Sequence, residues 1–168
     1  MTQAITFKAP WGWIEIAASE EGLTSIDLSP SNRRAFPRQG QAVENGTVAA
    51  LLAEAQRQLL DYLDGRRREF SLPVDLSAGT PFQRKVWKAI RQIPYGRVRS
   101  YQWVATKVGG KQYARAVGMA LGANPVPIVI PCHRIIAHDG SLGGFGCGLP
   151  MKRRLLKLEG TLAQLTLS

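Results

Sequence analysis

The chain has 168 residues, 45% of them apolar, which is enough for one domain or two small ones with a real core. It holds 22 Lys/Arg, 12 Asp/Glu and only two cysteines, so a disulfide-dense scaffold and an acidic solvating chain are both excluded. No apolar run is long enough to span a bilayer, and Met1-Thr2-Gln3-Ala4 lacks the order of a secretory signal, so reduced thiols and a cytoplasmic location are expected.

The first half reads as α/β. Ile5-Thr6-Phe7-Lys8 and Gly12 to Ala17 alternate as strands around a turn at Ala9-Pro10, and Gly22 to Leu28 is a third strand. Ser29 to Gly46 is polar, rich in Arg, Pro and Gln, and reads as loop. Thr47 is placed to cap a helix running to about Leu63, with Val48, Leu51, Leu52, Ala55, Leu59, Leu60 and Leu63 at helical spacing. Arg66 to Val74 reads as one more strand, and Asp75 to Gly79 as a linker. This gives two domains, 1–78 and 79–168.

The charge changes sign at that linker. Residues 1–78 hold 8 Lys/Arg and 10 Asp/Glu, net −2; residues 79–168 hold 14 Lys/Arg with only Asp139 and Glu159 as acids, net +12. A merely solvated surface would not confine the charge to one half, so the second half is expected to face a polyanion. A membrane is the poorer choice, because no long basic amphipathic helix with an aromatic face is present.

The second half reads as mostly helical. Thr80-Pro81 starts a helix to about Ile93 that buries Val86, Trp87 and Ile90. Ser100 caps Tyr101 to Val108, Gly109-Gly110 breaks the chain, and a third helix runs from about Gln112 to Leu121. Two short helices around a tight Gly turn in a basic segment fit a helix-turn-helix. Asn124-Pro125-Val126-Pro127 ends the last helix. A hairpin is expected around Asp139-Gly140, a flexible loop over Gly143 to Gly148, and a final helix with a basic outer face from Leu149 to Leu158.

The apolar run Ile128-Val129-Ile130 reads as strand-like and delivers Pro131-Cys132-His133-Arg134 to the edge of a core. Cys132 is either a buried inert thiol or a nucleophile, its thiolate favoured by nearby positive charge and a base. In extended backbone adjacent side chains diverge, so His133 is expected to reach the sulfur through a water rather than directly. The imidazole then needs an orienting carboxylate. Asp139 sits in a turn. Glu159 ends the last helix, where the dipole opposes its charge and a protonated histidine would compensate. Cys132, Cys147, His133 and His138 lack metal-ligand spacing, and Gly143 to Gly148 lacks the lysine of a phosphate loop, so neither a metal nor a cofactor is expected.

The segment Asn124-Pro-Val-Pro-Ile-Val-Ile-Pro-Cys-His-Arg134 resembles the active-site signature of the O6-alkylguanine-DNA alkyltransferases. Thr80-Pro-Phe-Gln83, Val86-Trp87, Ile93-Pro94-Tyr-Gly96, Ser100-Tyr101-Gln102, Ala114-Arg115-Ala-Val-Gly118 and Leu155 through Gly160 follow in family order, covering residues 80–160. The resemblance implies an α+β protein: a small ribonuclease H-like α/β domain, then a mostly helical, winged-helix-like domain with a helix-turn-helix. It implies irreversible, stoichiometric transfer of an alkyl group from O6-alkylguanine, or O4-alkylthymine, to Cys132 after base flipping. His133, a water and Glu159 would form the proton relay. Tyr101 would assist base rotation and protonate guanine N3, and Asn124 would brace the active-site turn. Arg115 would fill the gap left by the base. Tyr101, Gln102, Ala114, Ala116 and Gly118 would meet the minor groove of double-stranded DNA, and Ala120 would let the helix approach. Carbonyls of Cys132 and Ile135 would read the guanine amino group, while Pro127, Phe145 and Gly146 would line the pocket. A monomer without cofactor or metal is implied.

Three departures stand out. Phe145 replaces a frequent tyrosine, Cys147 has no family role, and residues 1–78 contain no Cys or His for the zinc that some relatives carry. Three other readings compete: a non-catalytic damage sensor, a Cys132–His133 thiol hydrolase that turns over, and a plain helix-turn-helix regulator.

Overall fold

The computed structural model describes residues 2–28 and 46–165, in two compact units, Met1–Leu76 and Ser77–Ser168. The loop expected from Ser29 onward lies, up to residue 45, outside the described residues.

In the first unit, β1 (Gln3–Ala9), β2 (Gly12–Ser19) and β3 (Gly22–Asp27) form an antiparallel sheet in that order. Phe7 lies opposite Ile14, and Ile14, Ile16 and Ala18 turn inward at alternate positions, as a sheet with one buried face requires. Helix α1 (Gly46–Leu63) covers that face with Val48, Leu52, Ala55, Leu59 and Tyr62. Thr47 therefore sits inside the helix rather than capping it. Gln58 is fully buried among these residues, and its amide binds Glu54 and both the hydroxyl and the backbone N–H of Ser71.

The expected strand over Arg66 to Val74 does not form. Only Leu23 and Val74 bridge, with Leu23 N–H donating to Pro73 O at 2.9 Å. Pro73 has no N–H to give a ladder, and Arg66-Arg67-Arg68-Glu69 has no apolar alternation to bury.

In the second unit, α2 (Pro81–Ile90) starts at a complete capping box. Gln83 N–H donates to Thr80 Oγ1 at 3.1 Å, and Thr80 N–H donates to Gln83 Oε1 at 2.9 Å. The helix stops three residues before the expected Ile93, because Pro94 disfavours helical backbone ahead of it. Helix α3 (Tyr101–Val108) is capped by Ser100, whose hydroxyl accepts from Trp103 N–H at 3.1 Å. Gly109 has φ +154°, and a Cβ there would lie 2.8 Å from the Tyr113 ring, so the turn needs glycine twice over. A 3₁₀ turn at Lys111–Tyr113 then leads into α4 (Ala114–Gly122). Trp87 Nε1–H donates to Ala120 O at 2.8 Å and ties α2 to α4.

Strand β4 (Arg99–Ser100), just before α3, pairs in parallel with β5 (Ile135–Ile136), just after the 3₁₀ turn Cys132–Arg134. This pairing corrects the expected hairpin. Asp139-Gly140 does form a turn, with Ala137 N–H donating to Ser141 O at 3.0 Å, but β5 takes β4 as its strand partner. The short ladder pins the start of the helix-turn-helix beside Cys132. Helix α5 (Leu149–Leu158) buries Leu155 and Leu156 and exposes Arg153, Arg154 and Lys157. No helix among the described residues is long and apolar enough to cross a membrane.

Candidate active site

Helix α4 hands the chain to Asn124, whose side chain shapes the turn after it. Its Nδ2–H donates to Ile130 O at 2.8 Å, and its Oδ1 accepts from Val126 N–H at 3.0 Å. Ile130 N–H reaches back to Val126 O at 2.9 Å. The run Ile128-Val129-Ile130 is thus a tight turn, not the strand-like segment its composition suggested. Ile128 is buried with φ +76°, a costly conformation for a β-branched residue that only an over-determined turn sustains.

The chain then enters the 3₁₀ turn Cys132–Arg134. Cys132 is 7% exposed, and burial pushes its thiol up to about 11. A hydrogen bond from Asn124 and the charge of Lys152 pull it back only in part. Positive charge was expected to favour the thiolate, but desolvation wins, so the resting group at neutral pH is the thiol.

His133 is fully buried, and its Nε2 lies 2.8 Å from Glu159 Oε2. Burial lowers its basicity despite the carboxylate, so the ring is neutral at rest. A carboxylate can only accept, so Nε2 carries the proton and Nδ1 keeps the lone pair. Nδ1 is buried with no hydrogen-bond partner among protein groups. The histidine bonds to Glu159 and not to sulfur, so any proton traffic with Cys132 starts at Nδ1.

Glu159 is the C-cap of α5, and its side chain is fully buried. Burial alone would raise its pKa, but the bonds from His133 and Arg134 hold it well below the usual carboxylate range. The charge that offsets the helix dipole is therefore on Arg134, not on a protonated His133. Arg134 clamps both oxygens, Nε to Oε1 at 2.8 Å and Nη2 to Oε2 at 3.0 Å, and Nη1 donates to Ile93 O at 2.6 Å.

Lys152 is a buried residue at the site that the sequence alone does not single out. Its ammonium is buried and donates to Ile135 O at 2.6 Å, Leu142 O at 2.5 Å and Gly144 O at 3.0 Å. Desolvation lowers its pKa to about 8. It ties the loop after β5 to the floor of the site. A lysine on the apolar side of an amphipathic helix, beside Leu155 and Leu156, was the signal that could have found it.

A pocket of about 200 Å³ opens above the sulfur. Cys132, Tyr101, Gly118, Phe145 and Gly146 line it, together with Leu121, Gly122 and Gly144. Pro127 and Ile135 are not in that lining; both are buried, and the Ile135 carbonyl already serves Lys152. The Cys132 carbonyl accepts from Ile135 N–H. The Tyr101 hydroxyl accepts from Gly144 N–H at 3.1 Å, and Gly143 (φ +69°) packs so closely that a Cβ would meet that hydroxyl at 2.7 Å. Arg115 and Gln102 are exposed, and Ala114, Ala116 and Gly118 are half-buried on α4. Ala120, expected to let the helix approach, is instead buried with its carbonyl bound to Trp87. Neither cysteine is in a disulfide.

The arrangement can hold an electrophilic carbon against a shielded thiol and remove the proton through a neutral imidazole. Two sequence profiles match the chain: the ribonuclease-like domain of 6-O-methylguanine DNA methyltransferase over residues 4–76, and its DNA binding domain over residues 81–161. The methylated-DNA–protein-cysteine methyltransferase of Methanosarcina barkeri is 41% identical over 90% of this chain and 93% of its own. The constitutive enzyme of Bacillus subtilis is 40% identical over 95% and 96%. The crystal structure of Mycobacterium tuberculosis OGT in complex with DNA superposes with a TM-score of 0.78 at 38% identity, covering 95% of this chain and 93% of that one.

Proposed function

The chain belongs to the 6-O-methylguanine DNA methyltransferase family, and on that premise we propose that Cys132 is its alkyl acceptor. It is a methylated-DNA–protein-cysteine methyltransferase, a DNA repair protein that works by alkyl transfer. The partner is DNA; in this reading it is duplex DNA carrying O6-alkylguanine, met through the minor groove by a monomeric protein in the cytoplasm.

The target oxygen lies inside the duplex, so the nucleotide must leave the stack at a cost of a few kcal/mol. Arg115, exposed near the start of α4, fills the space and offsets part of that cost. The base enters the pocket and the sulfur attacks the alkyl carbon. One S–C bond forms and one O–C bond breaks. The thiol proton passes through a water to His133 Nδ1, and Glu159 stabilises the imidazolium that forms. Tyr101 donates a proton to the departing guanine at N3. The imidazolium then gives its proton to solvent and Tyr101 regains one from solvent, so the net change is one proton moved from the thiol to the guanine. The thioether has no route back to a thiol, so each molecule acts once.

The buried His133–Glu159 pair at 2.8 Å, on the residue next to Cys132, carries this reading. Mixing the protein with O6-methylguanine duplex and measuring intact and peptide masses tests it. One methyl group on the Cys132 peptide is expected. An unchanged mass with tight binding would instead make the protein a sensor, and repaired product in excess of protein would make it a turnover enzyme.

A further inference from the structure

On α4, Val117, Ala120 and Leu121 fill the buried face. Arg115, Gly118, Met119 and Gly122 share the opposite face, within about 100° of the helix circumference at 3.6 residues per turn. Met119 is 73% exposed, against 46% for Leu149 and 41% for Tyr113, the other large apolar side chains exposed on the described surface. Tyr113 at least packs on Phe82, with ring centroids 5.9 Å apart. One exposed methionine is ordinary in itself; what distinguishes this one is its place. Its neighbours on that face, Gly118 and Gly122, both line the pocket above Cys132, and a Cβ on either would meet nothing within 4 Å. Arg115 stands one turn before it. Along the helix axis Met119 thus stands between Arg115 and Gly122 at the pocket rim, on the flank of this face away from Gly118.

We infer that Met119 is a positioning residue for the rotated nucleotide: its thioether packs on the deoxyribose of the flipped alkylguanosine and on the adjoining minor-groove wall. This rests on the base-flipping reading above. A nucleotide passing from the stack at Arg115 to the pocket beside Gly118 and Gly122 carries its sugar past residue 119. An unbranched, polarizable side chain adapts to that surface, and apolar side chains are the usual wedges of minor-groove binders. A thioether cannot read the donor and acceptor pattern of base edges, so the contact holds the lesion without adding sequence preference. The part of the contact made with the rotated deoxyribose removes apolar surface from water only in the extrahelical state, so it favours that state over the stacked one.

The test compares Met119→Ser and Met119→Leu with the unaltered protein, on O6-methylguanine duplex and on free O6-benzylguanine, which has no sugar. The ratio of duplex rate to free-base rate is expected to fall about tenfold in M119S, as partial exposure of one methionine contact implies. In M119L it should stay within about twofold, because the apolar contact survives. The inference is overturned if M119S keeps the ratio, or if M119L loses as much as M119S. Failure of the unaltered protein to take a methyl group on Cys132 would be a failure of the function proposed above instead, and the same mass spectra distinguish the two.

Discussion

Arg134 holds both carboxylate oxygens of Glu159, and His133 shares one of them. A single buried carboxylate thus neutralises the guanidinium and sets the tautomer of the imidazole. Removing the guanidinium leaves the buried carboxylate without its clamp, beside a neutral imidazole. Arg134→Ala is expected to cost about 3–5 kcal/mol, read as a lower urea midpoint at pH 7. A loss below about 1 kcal/mol would show that the clamp matters little to folding.

Acid should undo this cluster in two steps. His133 has a lowered pKa, so its neutral burial favours the fold above its ordinary value near 6.5 and penalises it as pH falls. Glu159 is also lowered, so its pairing stabilises above the ordinary carboxylate range and is lost as pH drops toward its folded value. Glu159→Gln should flatten the second loss and deepen the first, because the carboxylate partly offsets the burial of His133. It should also slow alkyl transfer by about 100-fold, since the imidazole loses its stabilising anion. An unchanged rate would remove Glu159 from the relay.

With its thiol at about 11, Cys132 should react slowly with iodoacetamide at neutral pH, its rate still climbing well past the ordinary cysteine range near 8.5. The Cys147 peptide from the same digest provides the internal comparison. A Cys132 rate that levels off near pH 8 would contradict the burial argument.

Asn124→Ala should both loosen the turn and push that thiol higher. It removes a donor to Ile130 O, an acceptor for Val126 N–H and the hydrogen bond to sulfur. A stability loss of about 2 kcal/mol is expected, typical of buried groups left unpaired. Thiol titration and thermal melts check the two effects separately.

Lys152→Met keeps the apolar stem and deletes the ammonium. Relief of desolvation and loss of three carbonyl bonds oppose each other, so stability at pH 7 should move little compared with repair rate. Hydrogen exchange at Gly144 and Phe145 should quicken. The folded pKa near 8 lies below the ordinary 10.5, so the unaltered protein binds fewer protons than its unfolded chain between those values. Its stability relative to Lys152→Met should therefore rise with pH across that window.

Local signals were legible in the sequence, and long-range ones were not. Ser100, Thr80-Pro81 and Gly109-Gly110 marked helix ends because caps and breakers act within one turn. Glu159 stands out because a carboxylate at a helix C-terminus needs an explanation, and His133 is its partner as expected, but as a neutral ring; the charge comes from Arg134, which nothing in the local sequence singles out. Lys152 escaped because its partners are carbonyls, which every residue has. Arg66 to Val74 reads as a strand by composition, but Pro73 has no N–H to give a ladder and only Val74 bridges to Leu23. The apolar run at Ile128 reads as extended because composition carries no trace of a positive φ.

The Tyr101 hydroxyl accepts from Gly144 N–H, while its own O–H reaches Gly144 O only at a long 3.5 Å. What the oxygen retains to offer a group entering the pocket is therefore its weakly engaged hydrogen and one lone pair. An accepting edge can take that hydrogen from its long bond to Gly144 O, whereas an edge presenting an N–H has to share the oxygen with Gly144 N–H. Discrimination of this kind needs no sequence-reading side chain; in the function proposed above it would act on a nucleotide already inside the pocket.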